Sequence, residues 1–378
     1  MLKKIFLIGG FVSLLGFIGL WIGQKILIKF LEEKAQTKIF QTSLSQMENW
    51  FIRNQTETGD FHYELNTTTG QTSSNYNIVR QAGVLYSLAQ AYKYHPSSQL
   101  KKTIEKEINF FKEYWVVKAD QPGIAMIVYQ GKQKNNTEAL LLLGLAELIE
   151  SDPNLKSQYW EMAQQLANFL VTTQKDKGGF WYEGNSSSPE SDYNNGETFY
   201  ALVKFYRLDP DPKYLTSINK AANYFLKKYP PTNFNSSFFS WGMAGFANLY
   251  QVDHQEIYWQ YLKDSTENFR TSSIGKNIIN KNDSHLRGGW GVFLEGTAFT
   301  AWVAKDKDHQ YHDQLAAYIK NSLDNLLSLQ IDGPRGKFTS DFENIKGGLC
   351  NDSLCQSQRI DITHHNLSAL ILYLSLVK

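Results

Sequence analysis

The stretch "FLVTTQKDKGGFWYEG", residues 169–184, decides the fold. An apolar, helix-like run ends at Gln174, two glycines follow at 178 and 179, and Phe180, Trp181 and Tyr182 come next. The chain does this again. "ENWFIRNQTETGDFHYE", residues 48–64, places Gln55, Gly59 and Phe61 at the same offsets. "DNLLSLQIDGPRGKF", residues 324–338, repeats the idea two residues looser, with Gln330, Gly336 and Phe338. Each unit reads as the end of a helix. Glycine permits the left-handed turn that closes a helix. The aromatic then packs back beneath the turn, and the glutamine amide reaches free backbone groups there.

Working outward, apolar residues recur at helical spacing along nearly the whole chain. Twelve helices are predicted, over 38–54, 78–93, 98–115, 137–150, 155–174, 196–207, 212–228, 240–251, 254–270, 293–304, 311–329 and 363–376. The segment "GIAMIVYQGK" reads as a short hairpin. The helices alternate in character. Odd members are long and charged, as in "LKKTIEKEINFFKEYW" and "YLTSINKAANYFLKKY". Even members are apolar and rich in small residues: "RQAGVLYSLAQAY", "EALLLLGLAEL", "ETFYALVKFYR", "WGMAGFANLY", "EGTAFTAWVA" and "HNLSALILYLSL". A helix apolar nearly all round is buried, and an amphipathic one lies outside. Six such pairs close into an all-α (α/α)6 toroid. No proline-rich linker divides the chain, so residues 38–378 read as one domain behind an N-terminal segment, 1–37.

The repeated glutamine–glycine–aromatic ending resembles that of α/α toroids, a group spanning six-hairpin glycosidases, sugar epimerases, polysaccharide lyases and the terpene-cyclase and prenyltransferase toroids. The resemblance covers roughly residues 38–378. It speaks to architecture and leaves the chemistry open, because one fold hosts many reactions. A terpene cyclase needs an Asp-rich motif, and "LDPDP" at 208–212 is proline-interrupted and reads as a helix start. The Cys-His-Gly motif of lanthionine-cyclase toroids is absent from the sequence.

The 378 residues carry a net charge of +1 and no long basic run, which argues against a nucleic-acid partner. Aromatics make up 14%, enough for a core and for rings that stack on sugars. The N-terminus "MLKKIFLIGGFVSLLGFIGLWIGQK" holds nineteen uncharged residues from Ile5 to Gly23, long enough to span a bilayer. A cleavage site of small residues is poorly matched there, so an uncleaved signal anchor is expected. Lys25, Lys29, Lys34 and Lys38 follow the span and blur the charge rule for orientation. The expected layout is a single-pass protein of the cytoplasmic (inner) membrane, its monomeric domain extracytoplasmic or periplasmic. Cys350 and Cys355, in "GGLCNDSLCQSQRID", fit a local disulfide in an oxidising compartment. Free thiols, or metal ligation with His364 or His365, are the alternatives; neither a metal nor a cofactor is expected.

In such a toroid the inner helices run parallel, so their starts share a face. The polar residues that open them are Arg80, Glu138, Glu197, Trp241, Glu295 and His365. The loops feeding them add Tyr76, Tyr193, Arg287, Trp290 and His364. Taken singly, each has a plain structural reading. Acids suit a first helical turn, Arg80 suits a buried ion pair with Glu138, and rings suit a core. Their convergence at one end is what favours a site. Glycoside hydrolysis needs two carboxyls, for which Glu197 and Glu295 stand out. Epimerisation or elimination beside a uronate carboxylate needs a base such as His365 or a tyrosine, with Arg80 or Arg287 neutralising the acid. The expected partner is a glycan or oligosaccharide. A non-catalytic glycan-binding or scaffold toroid of an envelope polysaccharide assembly is the other class.

Overall fold

Local caps set where most helices begin. Asn77 accepts hydrogen bonds from the backbone of Val79 and Arg80, and Asn235 does the same for Ser237 and Phe238. Asp152 and Asp211 cap helices whose first residues are Pro153 and Pro212. The structure, a computed structural model, describes residues 2–280 and 284–378, without the side chains of 2–23, 26, 29 and 30. The membrane span expected at 5–23 lies outside the residues whose side chains are described. Among the described residues no helix is long and apolar enough to cross a membrane.

The helices are α1 (Leu2–Asn54), α2 (Ile78–Tyr94), α3 (Ser98–Lys112), α4 (Asn135–Ser151), α5 (Pro153–Thr172), α6 (Asp192–Tyr206), α7 (Pro212–Lys228), α8 (Ser236–Asp253), α9 (Glu256–Thr271), a short α10 (Ser273–Asn277), α11 (Gly291–Lys307), α12 (His309–Leu326) and α13 (Ile360–Leu376). All twelve predicted helices are present, several starting two to four residues early and the first at Leu2. Each of α2, α4, α6, α8, α11 and α13 packs on the next, and α13 packs back on α2, closing an inner ring. Glycines let these helices approach: a Cβ at Gly144 would lie 2.9 Å from Leu85. The outer helices bury one stripe each, as α7 does with Tyr214, Ile218, Ala221, Ala222 and Phe225.

The glutamine endings hold the outer ring together. Gln174 Nε2 donates to Gly178 O of its own turn (3.2 Å) and to Ser217 O in the next outer helix, α7 (2.8 Å). Gln55 repeats this with Gly59 O (2.9 Å) and Thr103 O in α3 (2.8 Å). Gln330 donates to Gly347 O and to Ser43 O in α1, both at 2.9 Å, and so joins the last outer helix to the first. The three glycines have φ of +107°, +115° and +89°. A Cβ on any of them would collide with a carbonyl of the neighbouring helix, at Lys106, Lys220 or Gln46. The strand after each turn is clamped from inside. Phe61 N donates to Gln81 Oε1 (3.0 Å), Phe180 N to Asn195 Oδ1 (2.9 Å) and Leu349 N to Thr363 Oγ1 (3.2 Å).

The third unit therefore corrects the sequence reading. Its glycine is Gly347 and its following apolar residue is Leu349; Gly336 and Phe338 belong to a turn inserted after Gln330. Two antiparallel pairs complete the fold. β1 (Glu64–Asn66) pairs with β4 (Ser357–Arg359), a second closure of the ring. β2 (Trp115–Lys118) pairs with β3 (Gln121–Ile127), so the expected hairpin begins earlier than read, its first strand starting at the last residue of the predicted third helix. Cys350 and Cys355 form a disulfide in the loop before β4.

Gly178→Ala and Gly184→Ala separate the turn from the collision. Gly184 is also left-handed, at φ +72°, but a Cβ there meets nothing within 4 Å, whereas at Gly178 it lies 2.5 Å from Lys220 O. We expect a loss of about 1 kcal/mol for Gly184→Ala and about 3 kcal/mol or more for Gly178→Ala, read from urea unfolding curves. Equal losses would show that the contact with α7 does not hold the turn.

Candidate functional site

At the end of the ring where the inner helices start lies a cavity of about 440 Å³. Every inner helix reaches it: Arg80 from α2, Asn136 from α4, Glu197 from α6, Trp241 from α8, Val292 from α11 and His365 from α13. Tyr182 and the half-exposed Tyr193 add rings to its lining. Parallel helices bring their N-terminal N–H groups to this face, which favours negative charge on a ligand.

His365 Nδ1 lies 2.7 Å from Oε1 of Glu295, a carboxyl only 1% exposed. Burial raises the Glu295 pKa, and the adjacent His365 offsets part of that rise. The bond fixes the imidazole and leaves Nε2 as the ring nitrogen available to a ligand. The ring is flanked by Trp241, 5.8 Å away between centroids, and by His364 at 4.1 Å. Burial, then the neighbouring His365 and Arg80, hold His364 well below the usual imidazole range, so it is neutral. Its Nδ1 is buried without a hydrogen-bond partner, and its Nε2 would lie 2.8 Å from a Cβ at Gly83.

Two other carboxyls in the cavity have opposite states. Burial raises Glu197 to about 8, and the Asn136 amide that bonds it only moderates this, so it is protonated at neutral pH. Burial also works against Asp361, but hydrogen bonds from Arg359 (2.6 and 2.8 Å) and the charge of Arg80 (3.1 Å) outweigh it and keep Asp361 ionised. Arg80 also donates to the Tyr63 hydroxyl.

Of the residues singled out in the sequence, Arg80, Glu197, Trp241, Tyr193, His364 and His365 line this cavity, and Glu295 stands directly behind His365. The rest do not line it. Glu138 is fully buried and bonds Ile127 N (2.9 Å) and Gln133 Nε2 (3.1 Å), tying β3 to α4. Arg80 pairs with Asp361 instead of Glu138. Tyr76 stacks on Tyr129 with centroids 5.3 Å apart. Arg287 is exposed and lies 3.5 Å from Asp352, and Trp290 packs against the core. The sequence reading missed Asp361, Arg359, Asn136 and Tyr182. Asp361 was legible as the acid in "RIDITHH", but α13 begins at Ile360, three residues before the predicted start.

No family model and no curated protein matches the chain. Solved structures do match in fold. The family 76 α-1,6-mannanase of Salegentibacter sp. superposes with a TM-score of 0.68 at 12% identity, covering 90% of this chain and 99% of that one. The cellobiose 2-epimerase of Bacillus thermoamylovorans gives 0.66 at 12% identity, over 89% and 99%. A D-mannose isomerase gives 0.60 at 14% identity, over 89% and 97%. The chain thus shares the (α/α)6 toroid of glycosidase- and epimerase-like proteins.

Glu197 yields a pH prediction. Its pKa rises from 4.5 unfolded to about 8 folded. Below the unfolded value both states hold the proton and the stabilisation is complete; it is lost as pH rises to the folded value, because the unfolded chain ionises first. Glu197→Gln removes the term. Relative to the variant, the native chain should lose on the order of a few kcal/mol between pH 5 and pH 8, measured by urea unfolding at both. Parallel pH dependence in the two proteins would mean Glu197 ionises normally in the fold.

Proposed function

We propose that the cavity binds a carbohydrate and moves a proton on it, with His365 as base and Glu197 as acid. The observation that carries this reading is a Glu295-backed imidazole in the same cavity as a carboxyl protonated at neutral pH. A carboxyl that keeps its proton can serve as acid beside an imidazole oriented by a buried carboxyl. His365 Nε2 takes a proton from the sugar carbon beside a carbonyl or carboxylate. Glu295 stabilises the imidazolium that results. Glu197 then gives its proton either to the opposite face of that carbon, which inverts it, or to a departing glycosidic oxygen, which completes an elimination. Arg80 and Arg359 suit a uronate carboxylate.

Two-carboxyl hydrolysis is less well served. It needs an ionised carboxylate free to act at the sugar or on a water. Here Asp361 is held by two arginines and Glu295 is occupied by His365. The fold neighbours include an epimerase and an isomerase as well as mannanases. Binding without turnover is the second reading: from the start of α4 the cavity receives a neutral amide, Asn136, and no carboxylate.

Solvent-deuterium exchange separates the readings. Incubation of the protein in D2O with uronate-containing and with neutral oligosaccharides should place deuterium on a sugar carbon, read by NMR. His365→Ala and Glu197→Gln should each slow this by about 10²–10⁴-fold with oligosaccharide affinity retained. Binding with no deuterium incorporation in any of them would favour the non-catalytic role. Faster exchange on neutral sugars would remove the uronate assignment.

We also propose that residues 5–23 tether the domain to the inner membrane, with the domain outside the cytoplasm. Support comes from the uncharged run and the disulfide. After alkaline carbonate washing of cells the full chain should stay with the membrane, and external protease should digest the domain in spheroplasts. Release by carbonate would mean the segment does not span.

A further inference from the structure

The inner ring has a second cavity at its other end, about 450 Å³ and thus as large as the first. We infer that it is a separate binding site for a small neutral saccharide.

Both of its carboxylates are paired. Lys204, buried with a side chain only 6% exposed, bridges Glu147 Oε1 (3.0 Å) and Glu150 Oε2 (2.6 Å). Lys93 meets the same two acids at 2.9 and 2.6 Å. Two further cations line the cavity: Arg207 bonds the Asn248 amide oxygen at 2.5 Å and lies 5.7 Å from the Trp302 ring centroid, and the exposed Lys378 has its Nζ 3.7 Å from the Tyr94 ring centroid. Inner-helix C-termini gather here and carry partial negative charge, which opposes these two cations and works against binding an anion.

What the cavity does offer is hydrogen bonding of both signs beside aromatic surface. Gln90 Oε1 is a buried acceptor without a partner, in a side chain whose amide donates to Tyr86 Oη at 2.7 Å. A buried unmet acceptor costs about 1–3 kcal/mol, which a ligand donor recovers. Arg207 supplies donors, and Trp302 and Phe299 supply faces for C–H groups. Hydroxyls that both donate and accept, set on a C–H face, define a saccharide. The two cavities are separate: the bonded hydroxyls of Tyr86 and Tyr200 (3.1 Å) plug the axis between them, with both rings against Trp241.

Calorimetric titration of the full chain with D-mannose, D-glucose and cellobiose tests this, with inorganic phosphate as the charged control. The native chain should bind at least one sugar at this site. Val292→Trp, which fills the first cavity, should retain that binding, while Gln90→Leu and Trp302→Leu should each weaken it about ten-fold, the first by the loss of a hydrogen bond and the second by the loss of a ring face. Thermal melting identifies any variant that fails to fold, and the other then decides. Sugar binding abolished by Val292→Trp and unaffected at Gln90 and Trp302 overturns the inference. So does phosphate binding in place of sugar, or no binding of any of the three sugars. None of these outcomes depends on the proton-transfer reading of the first cavity.

Discussion

The structure rests on one amide used three times. Each of Gln55, Gln174 and Gln330 spends both side-chain hydrogens on carbonyls, one in its own turn and one in the adjacent outer helix. A helical carbonyl has a second lone pair, so it accepts this bond without leaving its helix. One group thereby sets both the shape of a turn and the spacing of two hairpins. The strand beyond the turn is caught by the next inner helix through Gln81, Asn195 or Thr363. Where that strand runs fixes where the inner helix starts, and the cavity is made of those starts.

Much of this is legible in the sequence because it is local. Helical period, the alternation of charged and apolar helices, and two of the three glutamine units lie within short windows. The third is obscured because residues 331–346 intervene between Gln330 and Gly347, and spacing alone points to Gly336. The cavity was half legible for the same reason. Aligning helix starts finds Arg80, Glu197, Trp241 and His365, which need only a shared face. It misplaces Glu138, because α4 begins at Asn135 and the acid turns toward β3. The pairing of Arg80 with Asp361 spans most of the chain and has no local signature.

Carboxyls of one chemistry take different states by address. Glu197 and Glu138 meet amides and N–H groups in buried surroundings and hold their protons to about 8. Asp361 meets two guanidinium groups and ionises. At the opposite end Glu147 is just as buried, and burial works against its charge, but Lys204 and Lys93 hold its carboxyl below the usual carboxylate range. The two ends of the ring thus differ in kind: one holds a protonated carboxyl beside an ion-paired one, the other holds only acids locked as anions in a salt-bridge network.

The closure of the ring also imposes an order of events on a chain made from its N-terminus. Ser43 O in the first outer helix is bonded by Gln330, 287 residues later, and the Trp50 indole by Gln358, 308 residues later. Phe40, whose ring meets Tyr373, and Trp50, both fully buried in the finished protein, lack their distant partners until the last hairpin is synthesised. Middle hairpins are free to assemble on near neighbours while the first helix waits. Such late, long-range pairing slows folding and leaves apolar surface open to aggregation in the interval. A nascent chain of this fold therefore carries an unfinished seam from its first helix to its last, and shielding that seam is a task for whatever cellular machinery attends its synthesis.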